Sequence, residues 1–193
     1  MEDILELMKY RRSIRRYTDR QVAEEDLRKI LEAGAYAPNA GGGQRSCFVA
    51  CRDKRLNETI GRLNVGGLDR SRLIGGFVSK EQPSIIDDPS IRSGFYGAPT
   101  VITIFGLKNF LYSVPDAFCA AENMVLEATA LGLSSCILAR GEETFSNPEG
   151  ERILRDWNIP GNMVARCFVI LGYVDGPYPA PKPRREGRYT IIS

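Results

Sequence analysis

The side chains with the most chemical potential in this chain are cations, and they cluster at two places. Between Lys9 and Arg20 lie six of them (Lys9, Arg11, Arg12, Arg15, Arg16, Arg20) against one anion, Asp19. Near the other terminus, PKPRREGR sets Lys182, Arg184, Arg185 and Arg188 against Glu186. Arginine outnumbers lysine 20 to 6, and its planar fork of donors matches the oxygens of a phosphate. Two readings stand for each cluster: an anion clamp, or a solvated basic face. The remaining inventory is narrow. Histidine is absent, which excludes Ser-His-Asp and Cys-His catalysis and His-ligated zinc. Neither GxGxxG nor GxxxxGK[ST] occurs; Gly41-Gly42-Gly43 leads to Gln44, so a Rossmann or P-loop phosphate site is not expected. The adjacent acids Asp87-Asp88 and Glu142-Glu143 read as exposed loop carboxylates, and Cys136 as a buried structural thiol. A basic clamp, a glycine-rich bend and no protein acid or base suit a bound organic cofactor that carries the reaction itself.

The elements that must position these groups fit one domain over 193 residues. A formal charge of +2 argues against bulk nucleic acid as a partner. The longest uncharged run, Ser93 to Leu107, is broken by Pro99 and spans no bilayer. The first ten residues carry no secretory pattern, and five cysteines without a C-x-x-C fit a reducing cytoplasm.

Apolar spacing predicts a short helix over 3–9, an extended or turn segment through SIRRYTDR, and a helix over 24–36 that ends at Pro38. CFVAC (47–51) reads as a strand. Residues 61–97, punctuated by glycines including Gly75 and Gly76, read as a long excursion with at most one short helix, either a lid or a surface insertion. A buried strand is expected over 99–107 and a helix apolar nearly all round over 116–131, with Asp116 at the cap. Residues 133–139 read as strand or extended loop. Asn147-Pro148 opens a helix to about Trp157, and Val164 to Val174 is a strong strand. Four prolines from Pro177 to Pro183 force an extended tail, after which RYTII (188–192) reads as a last strand. The order is irregular, so the fold class expected is α+β rather than doubly wound.

Several of these stretches together resemble the FMN-dependent nitroreductase family. Arg11-Arg12-Ser13-Ile14-Arg15-Arg16-Tyr17 resembles its opening signature. Residues 24–44 resemble its first long helix and the bend after it. Residues 116–140 resemble its central helix and Gly-Leu-x-Ser-Cys segment, and Val164 to Val174 with Lys182-Pro183-Arg184 resemble its last strand and terminal phosphate contact. The resemblance implies a central mixed or antiparallel sheet flanked by helices. It also implies an intertwined homodimer, with the C-terminal strand reaching the partner and two FMN molecules at the interface. By position, Arg11, Arg12, Ser13 and Arg15 would hold the phosphate, ribityl chain and ring edge. Lys182 and Arg184 would close on the phosphate, and Pro38, Asn39, Ala40 and Gln44 would come from the other subunit. The backbone of Ile137, Leu138 and Ala139 would run beside the ring, directing an amide at N5. NADH or NADPH would deliver hydride to N5, and a nitroaromatic, quinone or similar small acceptor would then take two electrons from the same slot. Arg15 would stabilise the charge of the reduced flavin. The alternatives are a same-fold flavoprotein with another reaction, or a flavin-binding protein without turnover. The family often has Asn where this chain has Gly42, and Pro-Trp at Arg45-Ser46. The 61–97 excursion is expected to shape the acceptor pocket, with Phe95 or Tyr96 either stacking on substrate or packing in the core.

Overall fold

A computed structural model describes residues 3–69 and 77–192 of the chain. Part of the 61–97 excursion, Gly75 and Gly76 included, lies outside the described residues. The described residues form one four-stranded antiparallel sheet of β1 (Cys47–Cys51), β2 (Thr100–Leu107), β3 (Ser134–Leu138) and β4 (Met163–Gly172), in the order β1-β2-β4-β3. Six helices surround it: α1 (Ile4–Tyr10), α2 (Glu24–Ala35), α3 (Lys54–Val65), α4 (Ser113–Ala130), α5 (Gly141–Phe145) and α6 (Pro148–Asp156). The α+β class and the helix-flanked sheet are as expected. None of these helices is long and apolar enough to cross a membrane.

The two central strands are apolar on both faces because both faces are covered. On β4, Cys167, Val169 and Leu171 point to one side and Phe168 and Ile170 to the other, a strict period of two. The first side packs on α2 and α4 through Leu27, Ile30, Ala117, Ala120, Met124 and Ala128. The second is aromatic: Phe95 meets Phe168 edge-on at 4.9 Å between ring centroids, and Phe145 bridges Phe105 and Trp157. A bulge between Ile104 and Phe105 leaves Arg166 unpaired on β4. Its guanidinium is tied to the Ser113 hydroxyl at 2.8 Å, the Leu107 carbonyl at 2.9 Å and Glu142 at 3.0 Å.

One expectation, the cap of α4, is corrected, and one open alternative, at Phe95, is decided. A regular helix, α3, fills much of the run between β1 and the excursion. Asp53 caps it by accepting from the N–H groups of Arg55 and Leu56, and Leu56, Ile60 and Leu63 fall on one face. Gly61 interrupts the apolar pattern because a Cβ there would stand 2.1 Å from the Ser93 hydroxyl. Asp116 is not the cap of α4: Ser113 starts that helix, Pro115 fits its first turn, and the buried Asp116 carboxylate accepts the Ala40 N–H at 3.0 Å. Phe95 is 1% exposed and belongs to the core, so it offers substrate no face. Residues 188–192 pair with no strand among the described residues, and Tyr189, Ile191 and Ile192 are almost wholly exposed.

Candidate functional site

The basic segment 11–17 is extended, and its backbone is sewn to one end of the sheet, where β3 starts and β4 finishes. The Ile14 N–H donates to the Ser135 carbonyl at 2.9 Å at the start of β3, and the Thr18 N–H donates to Tyr173 at 2.9 Å just past β4. Ile14 is fully buried and anchors the segment. The Tyr17 hydroxyl donates back to the Ile14 carbonyl at 2.7 Å, and burial holds that phenol well above its usual pKa. The tail is fixed from the same side. The Arg12 N–H donates to the Tyr178 hydroxyl at 2.9 Å, and the Tyr178 ring stacks on Tyr10 with centroids 5.0 Å apart.

These contacts bring the two basic ends together. Arg11, Arg12, Ser13 and Arg15 line a cavity of about 530 Å³ whose far wall is Pro179 to Arg184, with Lys182 and Arg184 included. A third wall comes from the excursion: Phe77, Val78, Ser79 and Glu81. None of Arg11, Arg12, Arg15, Lys182 or Arg184 is in an ion pair among the described residues. Arg12 spends Nη1 on the carbonyls of Lys9 and Arg11, at 2.7 and 2.5 Å, while its Nε is buried without a partner among the described residues. Lys182 donates to the Val78 carbonyl at 2.5 Å. The cavity has the size of a small-ligand site, and so many cations without anions form a place for an anionic ligand. Glu81 is the one carboxylate on the walls named above. Hydrogen bonds from its own backbone and from Ser79 keep its carboxyl below the usual range.

Ile137 and Leu138 are half-buried at the end of β3 and Ala139 is exposed. They do not line this cavity. They lie along the strand that starts beside Ser13, and Ala139 is four residues, roughly 13 Å, beyond Ser135. Asn64, buried on α3, fixes this stretch by donating to the Ala139 carbonyl at 3.1 Å and the Thr144 hydroxyl at 2.9 Å. Arg140 then turns through a left-handed conformation (φ 66°), and Gly141 lies so close to the Ala165 backbone that a Cβ would stand 2.7 Å away. Pro38, Asn39, Ala40 and Gln44 form a separate group. Asn39 and Gln44 line a smaller cavity of about 130 Å³ beside Asp116 and Ala120, and the Asn39 amide oxygen accepts the Gln44 N–H at 2.8 Å. Within one chain these four do not join the basic cluster.

Cys136 is buried, and burial pushes its thiol up while the Arg15 charge opposes. Glu142 lies in the first turn of α5 and pairs with Arg166. Asp87 is no idle loop acid: its carboxylate accepts the N–H groups of Val78 at 2.6 Å and Ser84 at 2.8 Å and folds the excursion on itself. Gln82, Tyr178 and Asn64 were not anticipated, and Tyr96 was anticipated only as an aromatic ring. Asn64 was reachable through the apolar spacing of α3. Gln82 stands in a stretch without period, so no signal marked it.

The sequence profile of the nitroreductase family matches residues 8–173. An Archaeoglobus fulgidus protein described as an NADH dehydrogenase/NAD(P)H nitroreductase is 31% identical over 176 residues, 90% of this chain and 86% of that protein. A Bacteroides fragilis nitroreductase crystallised with bound FMN superposes with a TM-score of 0.80 at 30% identity, covering 100% of both chains. A Desulfitobacterium hafniense nitroreductase shares the fold, with a TM-score of 0.81 at 22% identity and 100% coverage of both chains.

Proposed function

Because the chain belongs to the nitroreductase family, we propose that it is an FMN-dependent oxidoreductase that uses NADH or NADPH to reduce a nitroaromatic, quinone or similar small acceptor by a ping-pong mechanism. The observation that carries this reading is the meeting of the two basic ends around one cavity of about 530 Å³. The residues present fit the cofactor. Four guanidinium groups and an ammonium without ion-pair partners among the described residues suit an anionic cofactor, and the buried Arg12 Nε, unpartnered among those residues, is a donor in want of an acceptor.

FMN bound there would supply two-electron redox chemistry between a reduced nicotinamide and the acceptor. Arg11, Arg12, Lys182 and Arg184 hold the phosphate, and Ser13 the ribityl chain. Arg15 sets a fixed positive charge at the ring edge, where it favours the more negative, reduced flavin. Asn64 braces the Ala139 carbonyl and so keeps the backbone of Ile137, Leu138 and Ala139 in place beside the ring. No histidine is needed, because protons can come from water.

The protein acts as a homodimer in this reading. Ile4, Leu5 and Met8 of α1 and Val114 and Phe118 of α4 are exposed apolar side chains on helices that touch, and Leu111 and Tyr112 continue the series. Surfaces of this kind are covered by a partner. The second protomer brings Pro38, Asn39, Ala40 and Gln44, and the exposed Tyr189, Ile191 and Ile192 wrap the neighbour. The test is direct. The purified protein should hold one FMN per chain, run at the mass of a dimer, and lose its flavin absorbance on anaerobic addition of NADH or NADPH. A monomer that takes up no FMN overturns the reading. A yellow dimer inert to both nicotinamides removes the turnover and leaves the flavin site.

A further inference from the structure

The excursion does more than wall the cavity. The Gln82 side chain is wholly buried, and its amide oxygen accepts the backbone N–H of Arg15 at 2.7 Å. That contact fixes the orientation of the amide, because an N–H can donate only to the oxygen. The price is a buried Nε2 with no acceptor among the described residues. A side chain kept only for packing would not leave a buried donor unmatched, so the arrangement asks for another explanation. From the same segment, Tyr96 sits in the left-handed region (φ 54°), with Gly97 following at φ 73°. Its hydroxyl accepts the Ile85 N–H at 3.3 Å and lies by the Arg15 guanidinium. Burial raises this phenol, with Arg15 opposing, so Tyr96 stays protonated at neutral pH. Val78, at the start of the segment, holds Lys182 through its carbonyl. Asp87 closes the loop on Val78 and Ser84.

We propose that Gln82 and Tyr96 are positioning residues for Arg15, the first fixing its backbone and the second its guanidinium, so that its charge is presented at the cavity in one orientation. This rests on the reading that Arg15 serves a bound flavin. A long arginine carries several rotatable bonds, and its electrostatic effect is largest when it need not reorganise as charge develops. The excursion supplies that restraint from outside the basic segment.

The test uses FMN-loaded protein and reads the flavin's reduction potential by dye equilibration, FMN affinity by fluorescence, and thermal melting. Arg15→Ala should lower the potential. Tyr96→Phe keeps the ring and removes the hydroxyl. It should weaken the preference for reduced over oxidised flavin by about fivefold to tenfold, at most about 30 mV for a two-electron couple, with melting unchanged. Gln82→Met should act in the same direction. Adding Tyr96→Phe to Arg15→Ala should change the potential no further. If Arg15→Ala shifts the potential but Tyr96→Phe and Gln82→Met do not, or if the Tyr96→Phe shift persists without Arg15, the positioning role is wrong while the flavin reading stands. If Arg15→Ala leaves the potential where it was, the role given to Arg15 itself fails. Should Gln82→Met not fold, Tyr96→Phe decides alone.

Discussion

The two faces of the sheet are built by different means. One is covered by two regular helices: α2 lies across α4, Gly34 comes so close to Met124 that a Cβ would overlap its side chain, and the Asn123 amide donates to the Ala33 carbonyl at 3.0 Å. The other is covered by α3, α5, α6 and the irregular run 77–98, which is held by side chains bonded to backbone: Asp87 to Val78 and Ser84, and Gln82 to Arg15. The basic cavity belongs to the second construction. Helix packing gives a rigid wall, but a helix presents its backbone groups to itself. Extended segments present theirs to whatever lies alongside, so the irregular face is the one that can aim charged side chains at a ligand.

Substitutions should separate the two. Met124→Ala removes a fully buried side chain between α2 and α4. It should cost about 2–5 kcal/mol of stability, read by chemical denaturation, with FMN affinity changed less than about twofold. Arg184→Ala should do the reverse. Loss of one charged donor to a phosphate is worth about 1.5–3 kcal/mol, so FMN should bind roughly 10- to 150-fold more weakly by fluorescence titration, while the melting temperature of the flavin-free protein stays the same. An Arg184→Ala protein with full affinity would detach the tail from the cavity. A Met124→Ala protein that loses FMN would show that the faces are not separable.

The same contrast explains what the sequence disclosed. Val164 to Val174 and residues 99–107 were legible because a strand buried on both faces must be a continuous apolar run. The helix at 24–36 was legible because its acids load the first turn and its leucines share a face. The basic ends were legible as composition, and their meeting came through the family resemblance, since nothing in a linear charge run says which distant run it faces. Asp116 misled because an acid near a helix start usually caps that helix, whereas this one caps the turn at Ala40. RYTII is β-branched and apolar enough for a strand, yet it pairs with none among the described residues. Gln82 was hidden, and Tyr96 was visible only as an aromatic ring, for a physical reason. Their polar groups meet the chain through single side-chain-to-backbone bonds across 67 and 11 residues, and such bonds leave no period.

Acid should find the irregular face by a route that salt does not block. On the helical side, Glu24 and Glu25 are fully exposed. Hydrogen bonds and charge from Arg28 and Lys29 lower their carboxyl pKa values, and ionic strength screens such pairs. Asp87 has backbone donors instead. Burial alone would raise its carboxyl, but the N–H groups of Ser84, Val78 and Ser79 and the Ser84 hydroxyl together hold it below its ordinary value of 3.8. A carboxyl whose folded pKa is depressed contributes stability that is complete above its unfolded value. That contribution fades as pH falls from there through the folded value. Hydrogen-exchange protection of the Val78 and Ser84 amides should therefore be level from pH 7 to about 5 and decline below roughly pH 4. The decline should be the same in low and high salt. Asp87→Asn should show reduced protection at pH 7 and no such decline. If the Asp87→Asn protein keeps the wild-type acid profile, the excursion is held by its packing and not by this carboxylate, and the two faces are more alike than their hydrogen bonds suggest.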